Sequence, residues 1–396
     1  MKTFKIITFG CKVNQYESQL YHDQLVSIGY IPTETINPTI IIINCCAITQ
    51  KASKEVKNKI LSLLKENKNT PQIFITGCVD KNILPQDEKI TIVTNEEKEK
   101  LLFSLHPHLN DKIKGFQHHT RAFVKIQDGC NSFCAYCIVP FMRGRSRIRS
   151  FNIIIEEIKG LANNGYKEIV LTGINVGDYH ELPQLISSIN NINGIERIRL
   201  SSINVDHIND ALIDGFINNK KFMPSLHLPL QSGSNTILKK MNRKYTVEDY
   251  LDVIDKFKAY PHFTFTTDII VGFPNENEDD FLSSIDVIKK VGFIKVHVFP
   301  FSKRENTLAD QMPNQIPNEI IKKRKKELTT IAEDVAFKIR NKFVGQQLTI
   351  LMESKGYGYS ENYLPIYGLK GVKNQLIKAK VVHNSKKGLL AESLCQ

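Results

Sequence analysis

Apolar and polar positions alternate along the first hundred residues in a way that predicts a small layered domain. Residues 4–8, 40–43 and 73–76 read as extended, and residues 15–28 and 54–66 carry helical spacing. Strand and helix in turn give a parallel α/β domain with right-handed crossovers over residues 1–100. Residues 101–120 are expected to be a linker. The charged stretch from Asn95 onward suggests a short helix, and its histidines His106, His108, His118 and His119 are expected to be solvated. Strands then recur at 122–126, 168–172, 195–201, 225–229, 263–271 and 295–300 with helical segments between them, the pattern of a parallel (β/α) barrel within residues 121–343. Its last helix, 317–343, has Leu328, Ile331, Val335 and Ile339 at helical spacing and a basic run at 322–326 that reads as a solvated face. From 344 to 396 short alternating strands with glycines and tyrosines predict a small β-barrel.

A chain of 396 residues is long for one core and fits two or three domains. Its longest apolar runs fall far short of the ~20 residues of a membrane span. Residues 1–10 lack the apolar core and cleavage site of a signal peptide, so the expected location is the cytoplasm, with no membrane partner. The formal net charge of +12 draws polyanions through counterion release, which makes nucleic acid the first candidate partner. Charge kept for solubility alone is the other reading. Eight cysteines in such a chain favour metal or redox chemistry over a disulfide framework.

Three of those cysteines, Cys130, Cys134 and Cys137, fall within eight residues. Thiolates are soft ligands, and three on one loop can each hold one iron of a cubic cluster while the fourth iron stays open. A structural zinc site would want four ligands, usually as two separate Cys-x-x-Cys pairs, and only one such pair exists here. The run Cys-x3-Cys-x-aromatic-Cys, with Tyr136 as the aromatic, resembles the signature of radical S-adenosylmethionine enzymes. That resemblance implies a [4Fe-4S] cluster at these cysteines, S-adenosylmethionine on its open iron, a one-electron donor such as flavodoxin or ferredoxin, and a partial (β/α)6 barrel.

Each amino-terminal strand also leads into a cysteine: Cys11, Cys46 (preceded by Cys45) and Cys78. Loops at the carboxyl ends of parallel strands share one edge, so these residues converge. The arrangement resembles the amino-terminal domain of the methylthiotransferases, which implies that Cys11, Cys46 and Cys78 hold a second [4Fe-4S] cluster. Cys45 departs from the family pattern, and Cys46 is chosen because Ala47-Ile48-Thr49 sets the register. The same resemblance assigns the cofactor-binding edge to Thr172, Gly173, Asn175, Ser201, Gln231, Ser232 and Asp268, with Tyr136 beside the cluster. Arg143, Arg145, Arg147 and Arg149 alternate with small or apolar residues and would, if extended, aim guanidiniums to one side to hold phosphates. Gly358-Tyr359-Ser360-Glu361-Asn362-Tyr363 resembles the middle of a TRAM domain. With seven lysines against three glutamates after residue 345, that end is expected to bind RNA by charge and stacking.

The whole chain thus resembles a radical S-adenosylmethionine methylthiotransferase. Gly10-Cys11-Lys12-Val13-Asn14 differs from the Gly-Cys-Gln-Met-Asn of the isopentenyladenosine class and looks like the class that acts on threonylcarbamoyladenosine at position 37, in the anticodon loop of tRNA. Met241 to Thr246 and Val298 to Arg304 resemble the same class. A threonylcarbamoyl group carries a carboxylate, so an arginine of the 143–149 run is expected to pair with it. Three other readings share most of these features: the isopentenyladenosine enzyme, a sister enzyme acting on a ribosomal protein aspartate, and a non-catalytic iron-sulfur protein that binds RNA.

Overall fold

The apolar run at residues 40–43 is buried on both faces because it forms the middle of a parallel sheet. The computed structural model describes residues 2–394 apart from 36, 47–48, 67–70, 80–83, 99–100, 103–110, 117–118 and 261. In the amino-terminal domain β1 (Thr3–Thr8), β2 (Ile31–Pro32), β3 (Ile40–Cys45), β4 (Gln72–Gly77) and β5 (Ile90–Ile92) lie in the order β2-β1-β3-β4-β5. The period of two along β3 divides its side chains. Ile40 and Ile42 pack with Tyr21 and Leu25 of helix α1 (Lys12–Ser27), and Ile41, Ile43 and Cys45 pack with Val56, Ile60 and Leu63 of α2 (Gln50–Glu66).

The stretch expected to be a linker is packed at several of its described residues, while Asp111, Lys114 and His119 are exposed. Lys98, Leu101, Leu102, Ile113 and Phe116 are all buried. Its apolar residues extend two cores, and Lys98 finds buried acids. His106, His108 and His118 lie outside the described residues, and His119 packs against Phe116 and Phe123.

The central domain holds the expected partial barrel as two three-stranded parallel sheets. One has β6 (Ala122–Lys125), β9 (Glu168–Thr172) and β10 (Arg197–Leu200); the other has β11 (Ser225–His227), β12 (Thr264–Val271) and β13 (Lys295–Pro300). A parallel bridge between Ile198 and Phe222 joins them. The short strands β7 (Gln127–Asp128) and β8 (Arg147–Ile148) pair across the cysteine loop, with helix α3 (Val139–Arg143) between them. Outside the barrel lie α4 (Phe151–Asn163), α5 (Leu182–Asn190), α6 (Asp210–Ile217), α7 (Asn235–Lys240), α8 (Val247–Lys258) and α9 (Glu278–Val291), followed by the short α10 (Leu308–Gln311). Apolar faces of these helices and strands form one continuous core. No helix among the described residues is long and apolar enough to cross a membrane.

Helix α11 (Asn318–Asn341) spans from the central domain to the carboxyl end, burying Leu328, Ala332 and Ala336. The basic run near its start is not wholly solvated: Arg324 is buried, 2.7 Å from Glu276. Strands β14 (Gln347–Ser354), β15 (Tyr357–Ser360), β16 (Pro365–Tyr367), β17 (Leu376–Asn384) and β18 (Leu389–Ser393) then close a barrel. It docks through a buried carboxylate. Glu168 lies 2.8 Å from Arg199 and 3.6 Å from Arg197, and these guanidiniums donate to the carbonyls of Thr349, Tyr359, Ser360 and Glu361.

Burial opposes ionisation of Glu168, but Arg199, Arg121 and Arg197 outweigh it and hold its pKa below the ordinary 4.5. Its contribution is therefore complete above that pH and is lost as the pH falls through the folded value. Glu168→Gln is expected to cost about 3–5 kcal/mol at neutral pH, because the buried Arg197 and Arg199 lose their shared acid. Urea unfolding of variant and parent checks this; a cost under about 1 kcal/mol would show that the carbonyl contacts alone hold the docking.

Candidate functional site

Register brings the amino-terminal cysteines together. Thr8 pairs with Asn44, Asn44 with Thr76 and Cys45 with Gly77, so three strands end flush and the residues after them share one edge. Gly10, at φ +102°, permits the closest approach: a Cβ there would lie 2.7 Å from the Cβ and 3.0 Å from the Sγ of Cys46. Asn14 ties the ends, donating to the carbonyls of Phe9 and Cys45 at 2.9 and 2.6 Å and accepting from Cys11 Sγ at 3.3 Å. Cys45 faces the apolar layer over α2, whereas Cys46 is part-exposed beside Gly10.

In the second set, Cys130, Cys134 and Cys137 are free, part-exposed thiols. Phe133, at φ 46°, turns the chain into the left-handed region, and Asn242 Nδ2 donates to its carbonyl at 3.0 Å. Arg243 donates to Cys134 Sγ at 3.4 Å and to the Tyr245 hydroxyl at 2.9 Å. Burial, aided by the neighbouring Cys134, pushes the Cys137 thiol up to about 12. Tyr136 is raised in the same way. Cys130 is raised by burial too, and thiols such as Cys130 and Cys137 that resist ionising alone suit a cation, which deprotonates them outright.

Between the two sets lies a buried ionic knot. Arg143, 1% exposed, reaches Cys78 Sγ at 3.3 Å, Asn14 Oδ1 at 2.7 Å, Glu17 at 3.1 Å and Asp128 at 2.9 Å. Lys98 bridges Glu17 and Asp128, and Lys125 lies 3.3 Å from Glu17. Burial alone would raise both acids, but these cations hold Glu17 well below the ordinary carboxylate range and Asp128 at about 2. Arg143 is thus no phosphate ligand: it is enclosed, and every arm has a partner. Arg149 is also engaged, 2.7 Å from Glu157 and over the ring of Tyr16. The backbone turn at Gly144, φ +76°, breaks the extended run that would have aligned the four guanidiniums. Arg145 and Arg147 remain exposed.

The strand-end residues divide into two groups. Thr172 Oγ1, Asn175 Oδ1 and Ser201 Oγ are buried and have no hydrogen-bond partner among the described residues. Buried polar atoms are normally paired, and these three lie at or just past the ends of neighbouring strands. Gly173 and Ser232 serve the chain itself. A Cβ at 173 would lie 2.8 Å from Gln127 Oε1, which accepts from the amides of Ile174 and Asn175, and Ser232 Oγ accepts from the Ser234 amide. Gln231, at φ 72°, extends the edge of β12 through its backbone. Asp268 lies 3.2 Å from His227, and with His297 their ligand atoms fall within 4.8 Å of one another.

Gln127, Arg243, Asn14 and Lys98 carry much of this geometry and were not singled out from sequence. Below the edge, a cavity of about 1070 Å³ runs between the barrel strands and the carboxyl-terminal barrel, walled by Lys12, Arg121, Arg199, His227, His297, Tyr359 and Tyr363 among others. The tyrosines expected to face solvent turn inward here, with Arg121 5.0 Å from the ring centre of Tyr359 and 5.2 Å from that of Tyr363.

Residues 124–288 match the model of the radical SAM superfamily, and residues 3–103 match that described as uncharacterized protein family UPF0004. Threonylcarbamoyladenosine tRNA methylthiotransferase MtaB of Chlamydia pneumoniae is 43% identical over 98% of this chain and 98% of its own. The protein of the same name from Thermotoga maritima is 39% identical over 92% of this chain and 91% of its own. A tRNA-2-methylthio-N(6)-dimethylallyladenosine synthase of Caldicellulosiruptor saccharolyticus is 37% identical over 92% and 84%. Among solved structures, the radical S-adenosylmethionine methyltransferase TsrM from Kitasatospora setae superposes with a TM-score of 0.59 at 10% identity, covering 78% of this chain and 77% of that one. At that identity the likeness concerns the fold.

Brief alkylation of the metal-free protein with iodoacetamide is expected to label Cys46 and spare Cys45, whose thiol is buried and raised by that burial. Peptide mass mapping reads the two adjacent residues separately. Equal labelling would contradict the side-chain directions at the end of β3.

Proposed function

The chain belongs to the radical S-adenosylmethionine methylthiotransferases, and on that premise we infer that it converts N6-threonylcarbamoyladenosine at position 37 of tRNA into the 2-methylthio derivative. The observation that carries this reading is the 43% identity over 98% of both chains to a relative named for that reaction. A relative named for dimethylallyladenosine at 37% identity makes the nucleoside the point to be decided by experiment.

The cofactors are S-adenosylmethionine and [4Fe-4S] clusters, which supply a radical source and sulfur chemistry for a C–H bond with no acidic proton. Our assignment gives Cys130, Cys134 and Cys137 to the cluster that takes S-adenosylmethionine, and Cys11, Cys46 and Cys78 to the second. In support, Arg243 supplies a charge-assisted donor to Cys134 and Arg143 one to Cys78. The unpartnered oxygens of Thr172, Asn175 and Ser201 would accept from S-adenosylmethionine, and their burial would keep water from the reacting centre. The closed barrel at the carboxyl end is read as the TRAM module. Its lysines 355, 370, 373, 378, 380, 386 and 387 are all exposed, and with Arg145 and Arg147 they would take the phosphates of the anticodon stem. A flavodoxin or ferredoxin would deliver the electron, and the work would be done in the cytoplasm.

Mass spectrometry of tRNA nucleosides from strains with and without the gene tests the substrate. Loss of 2-methylthio-threonylcarbamoyladenosine is expected, and loss of the methylthiolated isopentenyl form instead would reassign it. Replacing Cys11, Cys46 and Cys78 by alanine is expected to lower bound iron by about half and abolish methylthiolation while 5'-deoxyadenosine still forms. Product made by that variant would overturn the division of labour between the two cysteine sets.

A further inference from the structure

The cavity is larger than a nucleoside needs and is walled almost wholly by the central and carboxyl-terminal domains; among its lining residues Lys12 is the one contributed by the amino-terminal domain. It follows Cys11 directly at the start of α1, so its Cα lies ~3.8 Å from that of the cysteine. Its ammonium therefore reaches the cavity from the side of the cluster loop.

The charges around it are matched, and Lys12 is not. Arg121 lies 2.8 Å from Glu353 and donates to the Tyr363 hydroxyl at 2.9 Å. Arg199 pairs with Glu168, and His227 with Asp268. Lys295, Lys386, Lys387 and Arg340 also line the cavity without an acid, but the lysines are exposed and keep their water, and the part-enclosed Arg340 donates to Asn384 Oδ1 and the Ser385 carbonyl. Lys12 is partly enclosed, and among the described residues it takes no hydrogen bond and no ion pair. A cation held in this way costs stability unless a ligand anion meets it.

Of the arginines of the 143–149 run, Arg143 and Arg149 are held by Glu17, Asp128 and Glu157, and the exposed Arg145 and Arg147 do not line the cavity. The threonylcarbamoyl group brings one carboxylate and the isopentenyl group brings none. We propose that Lys12 pairs with the threonylcarbamoyl carboxylate and makes the cavity select that nucleoside. The stacked rings of Tyr359 and Tyr363, 4.8 Å apart, carry Arg121 and line the same cavity. This inference rests on the substrate reading given above.

The test uses reconstituted holoenzyme and two anticodon stem-loop RNAs that differ only in that the threonylcarbamoyl carboxylate of one is a carboxamide in the other. The quantity read is the ratio of their dissociation constants. The parent protein is expected to favour the carboxylate by about ten- to a hundredfold, the scale of a hydrogen bond to a charged group. Lys12→Gln and Lys12→Met are each expected to bring the ratio within about threefold, and Lys12→Arg to keep most of it. Because a ratio is read, a general weakening of RNA binding does not imitate the effect. A parent ratio near one overturns the proposal, as does a parent-like ratio in either neutral variant. Failure of the substrate reading is seen separately, as the parent enzyme making no 2-methylthio-threonylcarbamoyladenosine in the nucleoside analysis.

Discussion

Five charges, four of them buried and Lys125 part-exposed, hold the two cysteine sets at a fixed separation. Glu17 comes from α1, Lys98 from the segment after β5, Lys125 and Asp128 from β6 and β7, and Arg143 from α3. None can be withdrawn without leaving a partner charged and dry, a far greater penalty than the pairs return as net stability. The arrangement therefore fixes geometry more than it adds stability. Cys11 sits at the head of the helix that carries Glu17, Cys130 two residues beyond Asp128, and Cys137 six before Arg143. Three cations face two carboxylates, and Arg143, which completes the excess, touches Cys78. Positive charge beside a sulfur favours the thiolate that a metal needs.

A second tie of the same kind, Glu168 with Arg121, Arg197 and Arg199, holds the carboxyl-terminal barrel under the central strands. Ionic contacts of this sort put charged groups in the space between the domains beside apolar ones such as Leu200, Ile294 and Phe337. Apolar docking would have filled it. The cavity exists because its floor is made of arginines and tyrosines, whose planar groups stack at 4.9–5.2 Å without closing the volume.

Much of this was legible in the sequence where the signal was local. The spacing of Cys130, Cys134 and Cys137, the cysteines that follow each strand, and the strand periods all lie within short windows. Even the direction of Cys45 follows from counting by twos from Ile41. The failures share one cause, which is that a charged residue has no readable environment until distant segments meet. Arg143 lies 126 residues from Glu17 and 65 from Cys78, and Lys98 lies 81 from Glu17. An alternating arginine run therefore looked free to hold phosphates, and a charged linker looked solvated. Gly173 and Ser232 were expected at the cofactor edge from resemblance, and the structure adds that each also meets a contact within the chain, with Gln127 or with the next turn.

Net charge, read from composition, treats every cation alike, and the fold does not. The lysines of the carboxyl-terminal barrel with Arg145 and Arg147 are hydrated and exposed; such charges attract any phosphate chain at long range and lose their pull as salt rises. Arg143, Arg197 and Arg199 are enclosed and bound to protein acids or carbonyls, so they add nothing to attraction and everything to alignment. Lys12 belongs to neither population, being sheltered enough to be sensitive to a ligand's charge and unpaired enough to respond to it. Discrimination between nucleosides that differ by one carboxylate belongs at such a place, because charge pairing strengthens as water is excluded.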